Sequence, residues 1–146
     1  MRPHNKIYGD LILQIEHADD PIEIRLEDVK RIAEAAFDTE WGRVDHWQFS
    51  LVERSFTDLE NLIALIREVL PGWEYSLFWN SCQGNLVSLC DNDDQSSSQE
   101  SFSSTGSTMC LAGMAAFCKA CNCVLDRKRA EEERIRALHP EIEETA

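Results

Sequence analysis

Basic residues are scarce in this sequence, and its middle has none. The 146 residues include 27 acids but only 14 lysines and arginines, which gives a formal net charge of −13. No Lys or Arg lies between Glu68 and Cys118. Sequence-independent binding to DNA or RNA needs Lys and Arg that displace counterions from phosphates, so the composition argues against direct nucleic-acid binding. An anionic membrane surface is disfavoured for the same reason, and the charge favours basic partner surfaces.

Long apolar runs and glycine-rich loops are also missing. The longest nearly apolar stretch, Met109 to Cys118, is about half as long as a bilayer span requires. Charges interrupt the segment from Met1 to Asp20, so we expect no signal peptide. The six glycines are dispersed, which excludes a phosphate-cradling loop. We therefore expect a cytoplasmic protein whose cysteines stay reduced.

What is present is the composition of one globular domain. Hydrophobic residues make up 43% of the chain and charged residues 28%, and a chain of this length usually folds around one core. We expect a single domain over residues 1–130. Apolar residues become rare after Asp126, so residues 131–146 are predicted to form a charged helical extension and tail.

In the first half of the chain, the spacing of apolar residues is typical of a strand in two segments and of a helix in the segment between them. Apolar and polar residues alternate from Tyr8 to Glu16, which predicts a half-buried strand. A helical stripe follows over Leu26–Phe37. Alternation returns from Trp47 to Leu51 and predicts a second strand.

The second half carries the clearest signals. A helix is predicted to start at Thr57, whose capping box includes Glu60, and to stop at Pro71-Gly72. Two alternating runs around a Gln83-Gly84-Asn85 turn predict a hairpin of Trp73–Asn80 and Leu86–Cys90. The acidic, serine-rich stretch Asp91–Ser107 is typical of a mobile loop.

A last helix is predicted to start after one of several possible N-caps within Thr105–Thr108, with cysteines along its buried side. The element order is then β-α-β-α-β-β-α. It predicts an α+β fold in which helices pack on a small, largely antiparallel sheet.

Residues 59–123 resemble a small phage and prophage domain, the phage ABA sandwich. The matching residues are the junction Leu70-Pro71-Gly72-Trp73, the strand Tyr75–Trp79 and the alanine-rich helix Leu111–Phe117. The acidic loop is longer than in that pattern, the last helix is unusually rich in cysteine, and residues 1–58 have no counterpart. The resemblance implies a phage-derived sandwich and carries no catalytic residues over, and it places the protein in the host cytoplasm.

The six cysteines all lie between positions 82 and 123. Structural zinc needs four converging Cys or His ligands, and only Cys118 and Cys121 have the usual spacing of a ligand pair. They are predicted to lie in mid-helix as small core residues. Whether Cys82 and Cys90 approach them stays open, and we assign no metal and no cofactor.

Catalytic constellations are not recognisable. The four histidines are scattered and share no motif with a cysteine. Asp91, Asp93 and Asp94 begin like a calcium loop. Ser96 and Phe102 stand where that loop needs Gly and Glu, so the pattern fails. We expect a protein that is not an enzyme.

The leading hypothesis is an acidic, non-catalytic interaction module, a phage or prophage accessory protein. It would bind a basic surface of a host nucleic-acid-handling protein, as an inhibitor or a mimic of the phosphate ligand. The predicted partner-binding residues are the acids of the base-free region: Glu68, Glu74, Asp91, Asp93, Asp94 and Glu100.

Two alternatives stay open. The cysteine cluster of Cys82 and Cys90 with Cys118 and Cys121 would suit a small-ligand- or zinc-binding protein. The second alternative is a regulatory subunit that dimerises through the C-terminal helix, although that helix has no sustained heptad repeat. The oligomeric state does not follow from the sequence.

Overall fold

A computed structural model describes residues 6–82, 84–91 and 100–138. Within them the chain forms five α-helices and a three-stranded antiparallel sheet, which confirms the α+β class. The elements are α1 (Gly9–His17), α2 (Leu26–Ala36), α3 (His46–Ser55), α4 (Leu59–Val69), β1 (Trp73–Asn80), β2 (Gly84–Asp91), β3 (Ser101–Gly106) and α5 (Met109–Leu138).

The sheet has the strand order β1-β2-β3. β1 and β2 form the predicted hairpin, with Trp73 opposite Asp91 and Asn80 opposite Gly84. β3 was not predicted, because it lies inside the stretch assigned to a mobile loop. The strand is mostly polar, but its residues alternate in burial: Phe102 and Ser104 face the interior, and Ser101 and Ser103 are exposed. The remaining part of that loop, residues 92–99, lies outside the described residues.

The N-terminal half of α5 forms the centre of the core. Every residue from Cys110 to Cys118 is buried, because the sheet packs on one side of the helix and α1, α2 and α4 pack on other sides. α5 is long and apolar enough to meet the length and composition criterion for a membrane span. Burial inside the fold accounts for that composition.

The two strands predicted in the first half of the chain are helices. In α1, Leu11, Ile12 and Ile15 are buried, whereas Leu13 is 53% exposed, so the buried positions follow the helical and not the alternating period. In α3, Asp45 and Gln48 form a capping box. Trp47, which suggested a strand, is 51% exposed and packs edge-on against Phe37.

Helix α4 confirms the predicted stop and shifts the predicted start by one residue. The side chain of Asp58, and not of Thr57, caps the helix by accepting a hydrogen bond of 2.9 Å from the Glu60 amide. Gly72 has a φ of 87°, which glycine adopts without steric cost, so the chain reverses there into β1. The chain thus passes directly from the helical layer to the sheet.

Candidate functional site: the acidic end of the sheet

Three of the predicted partner-binding acids meet at one end of the sheet. Glu74 on β1 is opposite Cys90 on β2, and Cys90 is opposite Ser101 on β3. The amide of Asp91 donates a 2.9 Å hydrogen bond to the carbonyl of Glu100. We call this group, Glu74, Asp91 and Glu100, the acidic end.

The other three predicted acids are placed differently. Glu68 is exposed on the last turn of α4, just before the chain enters β1. Asp93 and Asp94 lie outside the described residues, in the segment that connects Asp91 to Glu100. By sequence alone, that segment adds two negative charges between Asp91 and Glu100.

Asp91 differs from Glu74 and Glu100 because it is buried. The residue is 5% exposed, and Nη1 of Arg127 on α5 donates a hydrogen bond to it. The guanidinium carbon lies 5.9 Å from the Trp73 ring centroid. The hydrogen bond from Arg127 to Asp91 is the main cause that raises the pKa of the guanidinium. Asp91 therefore ties β2 to α5, whereas Glu74 is exposed and Glu100 is half-buried.

The sheet surface next to the acidic end has no cation. The three strands contain no Lys, Arg or His. Their outer face, the one turned away from α5, presents Glu74, Ser76 and Phe78 from β1, all of them exposed. Ser88 and Ser103 continue this face with a 2.7 Å hydrogen bond between their hydroxyls. It is a largely polar face with two large apolar side chains, Phe78, which is 53% exposed, and Leu86, which is half-buried.

A cleft of about 620 Å³ lies on the α5 side of the acidic end. Both of its cations have partners within the fold. Lys119 Nζ lies 3.2 Å from Glu16 Oε2 and donates to the carbonyl of Ser103 at 2.9 Å, and Arg127 binds Asp91. The lining residues are Ile12, Glu100, Phe102, Lys119, Asn122, Cys123, Asp126, Arg127 and Ala130.

The cysteines do not converge. Cys82 is exposed at the hairpin turn and Cys90 lies on the outer sheet face, whereas Cys118 and Cys121 are buried on α5. Among the described residues, which include all six cysteines, no three Cys, His, Asp or Glu side chains are grouped as metal ligands. Burial raises the pKa of the Cys118 and Cys121 thiols far above the ordinary value of 9.0, so both stay protonated core residues.

Sequence reasoning missed the role of Arg127. It lies after Asp126, where apolar residues become rare and no packing contact was predicted. Its guanidinium nevertheless contacts Asp91 and Trp73, and Asp91 is 36 positions away in sequence. No local pattern signals such a pairing. The one available signal is the alternation of β2. Val87 and Leu89 face the interior, so the next inward position is Asp91, and a carboxylate placed there needs a partner.

Comparison with known proteins places no further constraint on the site: no family model, no curated protein and no solved structure matches this chain. The resemblance of residues 59–123 to the phage domain therefore stays a prediction.

Proposed function

We propose that this protein is a non-catalytic interaction module that binds a basic protein surface through the acidic end and the adjoining outer face of the sheet. The observation that carries the proposal is that Glu74 and Glu100, both more accessible than the buried Asp91, lie at one end of a sheet whose strands contain no cation. Complementary charge accelerates association and selects among partners.

The partner class we propose is a host nucleic-acid-handling protein, and the module is a phage or prophage accessory protein of the host cytoplasm. A groove built for phosphate presents Lys and Arg, and carboxylates spaced along a sheet end would meet those cations as phosphates do. The net charge of −13 supports such an inhibitor or mimic and opposes direct binding to nucleic acid or an anionic membrane.

Two of the six cysteines, Cys118 and Cys121, are unsuited to act as nucleophiles. Burial keeps the Cys118 and Cys121 thiols protonated, whereas a nucleophilic cysteine needs a basic partner that makes it thiolate. Of the histidines, His17 and His46 are described, and both are exposed. Neither observation supplies a nucleophile paired with a base.

The test compares two double variants that each remove two negative charges. Glu74→Gln/Glu100→Gln neutralises the acidic end, and Glu27→Gln/Glu40→Gln neutralises two exposed helical-layer acids. Proteins captured from a bacterial lysate at low salt are identified by mass spectrometry, and the affinity of the recovered partner is then measured. Surface charges at an interface contribute about 0.2–1 kcal/mol each, so the first variant should bind about two- to thirty-fold more weakly. Weaker binding should also follow from added salt.

The control variant should bind as the wild type does. Equal affinity of the wild type and Glu74→Gln/Glu100→Gln for the captured protein would overturn the proposed surface. A loss confined to Glu27→Gln/Glu40→Gln would move the surface to the helical layer. Asp91 stays unchanged in both variants because its carboxylate holds Arg127.

The cleft favours one second candidate, a small-ligand-binding protein. Because Lys119 and Arg127 already have carboxylate partners, an uncharged or zwitterionic ligand fits the cleft better than an anion. A compound screen by thermal shift tests it. A compound that raises the Tm of the wild type but not of Ala130→Trp, which narrows the cleft, would support this role, and a screen without such a compound would count against it.

A further inference from the structure

The two edges of the sheet are built differently. The β3 edge is covered, since Lys119 on α5 donates a 2.9 Å hydrogen bond to the Ser103 carbonyl and α1 packs against the strand. Just past the strand, the hydroxyl of Ser107 donates to the carbonyls of Ala18 at 2.7 Å and Asp19 at 3.1 Å. An incoming strand would have to displace these contacts.

The β1 edge has no such cover in the described part of the chain. β1 is eight residues long and pairs with β2 on one side, and its other side receives no described strand. Proteins usually protect an exposed edge with Lys, Pro or a bulge. β1 has no Lys or Pro, its register with β2 is unbroken, and Glu74 is its one charged residue.

The side chains along this edge suit an added strand. Those on the α5 side are aromatic or apolar, namely Trp73, Tyr75, Leu77 and Trp79, and Trp79 is 64% exposed. Those on the outer face include Glu74 and Phe78. A neighbouring strand would place one set of its side chains beside Trp79 and Leu77 and the alternate set beside Glu74 and Phe78.

We propose that an extended segment of the basic partner adds to the β1 edge as a fourth strand. This inference rests on the proposed function and specifies how its partner binds. The segment would alternate Lys or Arg with β-branched or other apolar residues. Its cations would meet Glu74 and the face of the Phe78 ring, and its apolar residues would cover Trp79. Main-chain hydrogen bonds would supply affinity and the alternation would supply specificity.

Charge decides against a second copy of this chain as the occupant. Two copies would each bring a net charge of −13. Neither would offer a cation, since none of the three strands holds one. A basic segment would be attracted to this acidic protein, whereas a second copy would be repelled.

The experiment uses the full chain and three ten-residue peptides that alternate lysine and valine. The first is unmodified, the second is N-methylated at its valine amides and the third at its lysine amides. The amides of successive residues in a strand point to opposite edges, so methylation blocks hydrogen bonding at one edge of each modified peptide. All three peptides carry the same charge. Affinities are measured by fluorescence anisotropy, and tryptophan emission is followed in the wild type and in Trp79→Phe.

Strand addition predicts that the two methylated peptides differ by about ten-fold or more, because about two or three main-chain hydrogen bonds near 1 kcal/mol each are lost with one of them. The emission change on binding should shrink in Trp79→Phe. Glu74→Gln should weaken the unmodified peptide about two- to five-fold, as expected for one cross-strand charge pair, and Glu27→Gln should leave it unchanged.

The outcomes separate this inference from the proposed function. If the methylated peptides differ by less than about two-fold while Glu74→Gln still weakens binding, strand addition is overturned and electrostatic docking at the acidic end remains. If none of the peptides binds at low salt, strand addition is overturned, and the proposed function is decided separately by the affinity of Glu74→Gln/Glu100→Gln for the captured protein.

Discussion

The two faces of the sheet have different roles. We call the face that packs on α5 the covered side and the outer face the open side. On the covered side, Val87 and Leu89 of β2 are fully buried against α5, and Lys119 and Arg127 of α5 bond to β3 and to Asp91. On the open side, Ser76 and Phe78 of β1 are exposed. The covered side supplies the contacts that hold the fold. The open side is therefore free to change for recognition at little cost in stability.

The largest expected effect contrasts two leucines three positions apart on β2. Leu89 faces α5 and is fully buried, whereas Leu86 faces outward and is half-buried. Leu89→Ala removes buried methyl groups and leaves a cavity, so it should lower the free energy of unfolding by about 2–5 kcal/mol. Leu86→Ala should cost less than about 1 kcal/mol, because little apolar area is lost from it. Urea unfolding of the two variants measures both values.

Equal losses from the two leucine variants would mean that the outer face is also covered. Something packed over Leu86 would then make the sheet unsuitable as a binding surface. A small loss from both would indicate that the core rearranges around the missing side chain at Leu89.

The sequence predicts the C-terminal half of the fold better than the N-terminal half. The α4 stop and the β1–β2 hairpin depend on local signals, Pro71-Gly72 and a short turn, which act within a few residues. The regions of α1 and α3 resemble strands because a short amphipathic helix and a strand share several apolar positions. Only packing in the folded core distinguishes two adjacent apolar residues of α1, since Ile12 is buried and Leu13 is not.

The candidate site was predictable only in part. The absence of bases around Glu74 and Glu100 is visible in the sequence, but their proximity depends on β3, which was assigned to a loop. β3 is a polar strand that pairs with β2 and accepts a hydrogen bond from Lys119, and such long-range contacts leave no local pattern. The burial of Asp91 by Arg127 is of the same kind.

The second prediction concerns the buried thiols of α5. Burial raises the pKa of Cys118 and Cys121 above the ordinary value of 9.0. Both thiols stay protonated in the folded protein, whereas the unfolded chain loses these protons above about pH 9. Their contribution to stability is therefore fully present below pH 9 and is lost as the pH rises above it. Each thiol should lower the free energy of unfolding by about 1.4 kcal/mol per pH unit.

The measurement is urea unfolding between about pH 9 and 10.5 under reducing conditions. Cys118→Ala/Cys121→Ala is the matched variant, because lysines and tyrosines titrate equally in it and in the wild type. Its alkaline slope should be shallower by up to about 3 kcal/mol per pH unit for the two thiols together. Identical slopes would show that water reaches both thiols and that the core around α5 is looser than the structure indicates.

The smallest expected effect tests the cover of the β3 edge itself. Lys119→Met removes the hydrogen bond to the Ser103 carbonyl and leaves Glu16 without this cation, while a long apolar chain remains. It should cost about 1 kcal/mol, the typical net contribution of one intramolecular hydrogen bond, because the bond to Ser103 is exposed to solvent. Lys6→Met is the matched control, because the Lys6–Asp126 pair is largely exposed and such pairs contribute about 0–1 kcal/mol. Hydrogen exchange at Phe102 to Thr105 should also become faster in Lys119→Met and stay unchanged in Lys6→Met. If exchange in β3 does not respond, α1 alone protects that edge, and the difference between the two edges does not depend on a charged residue.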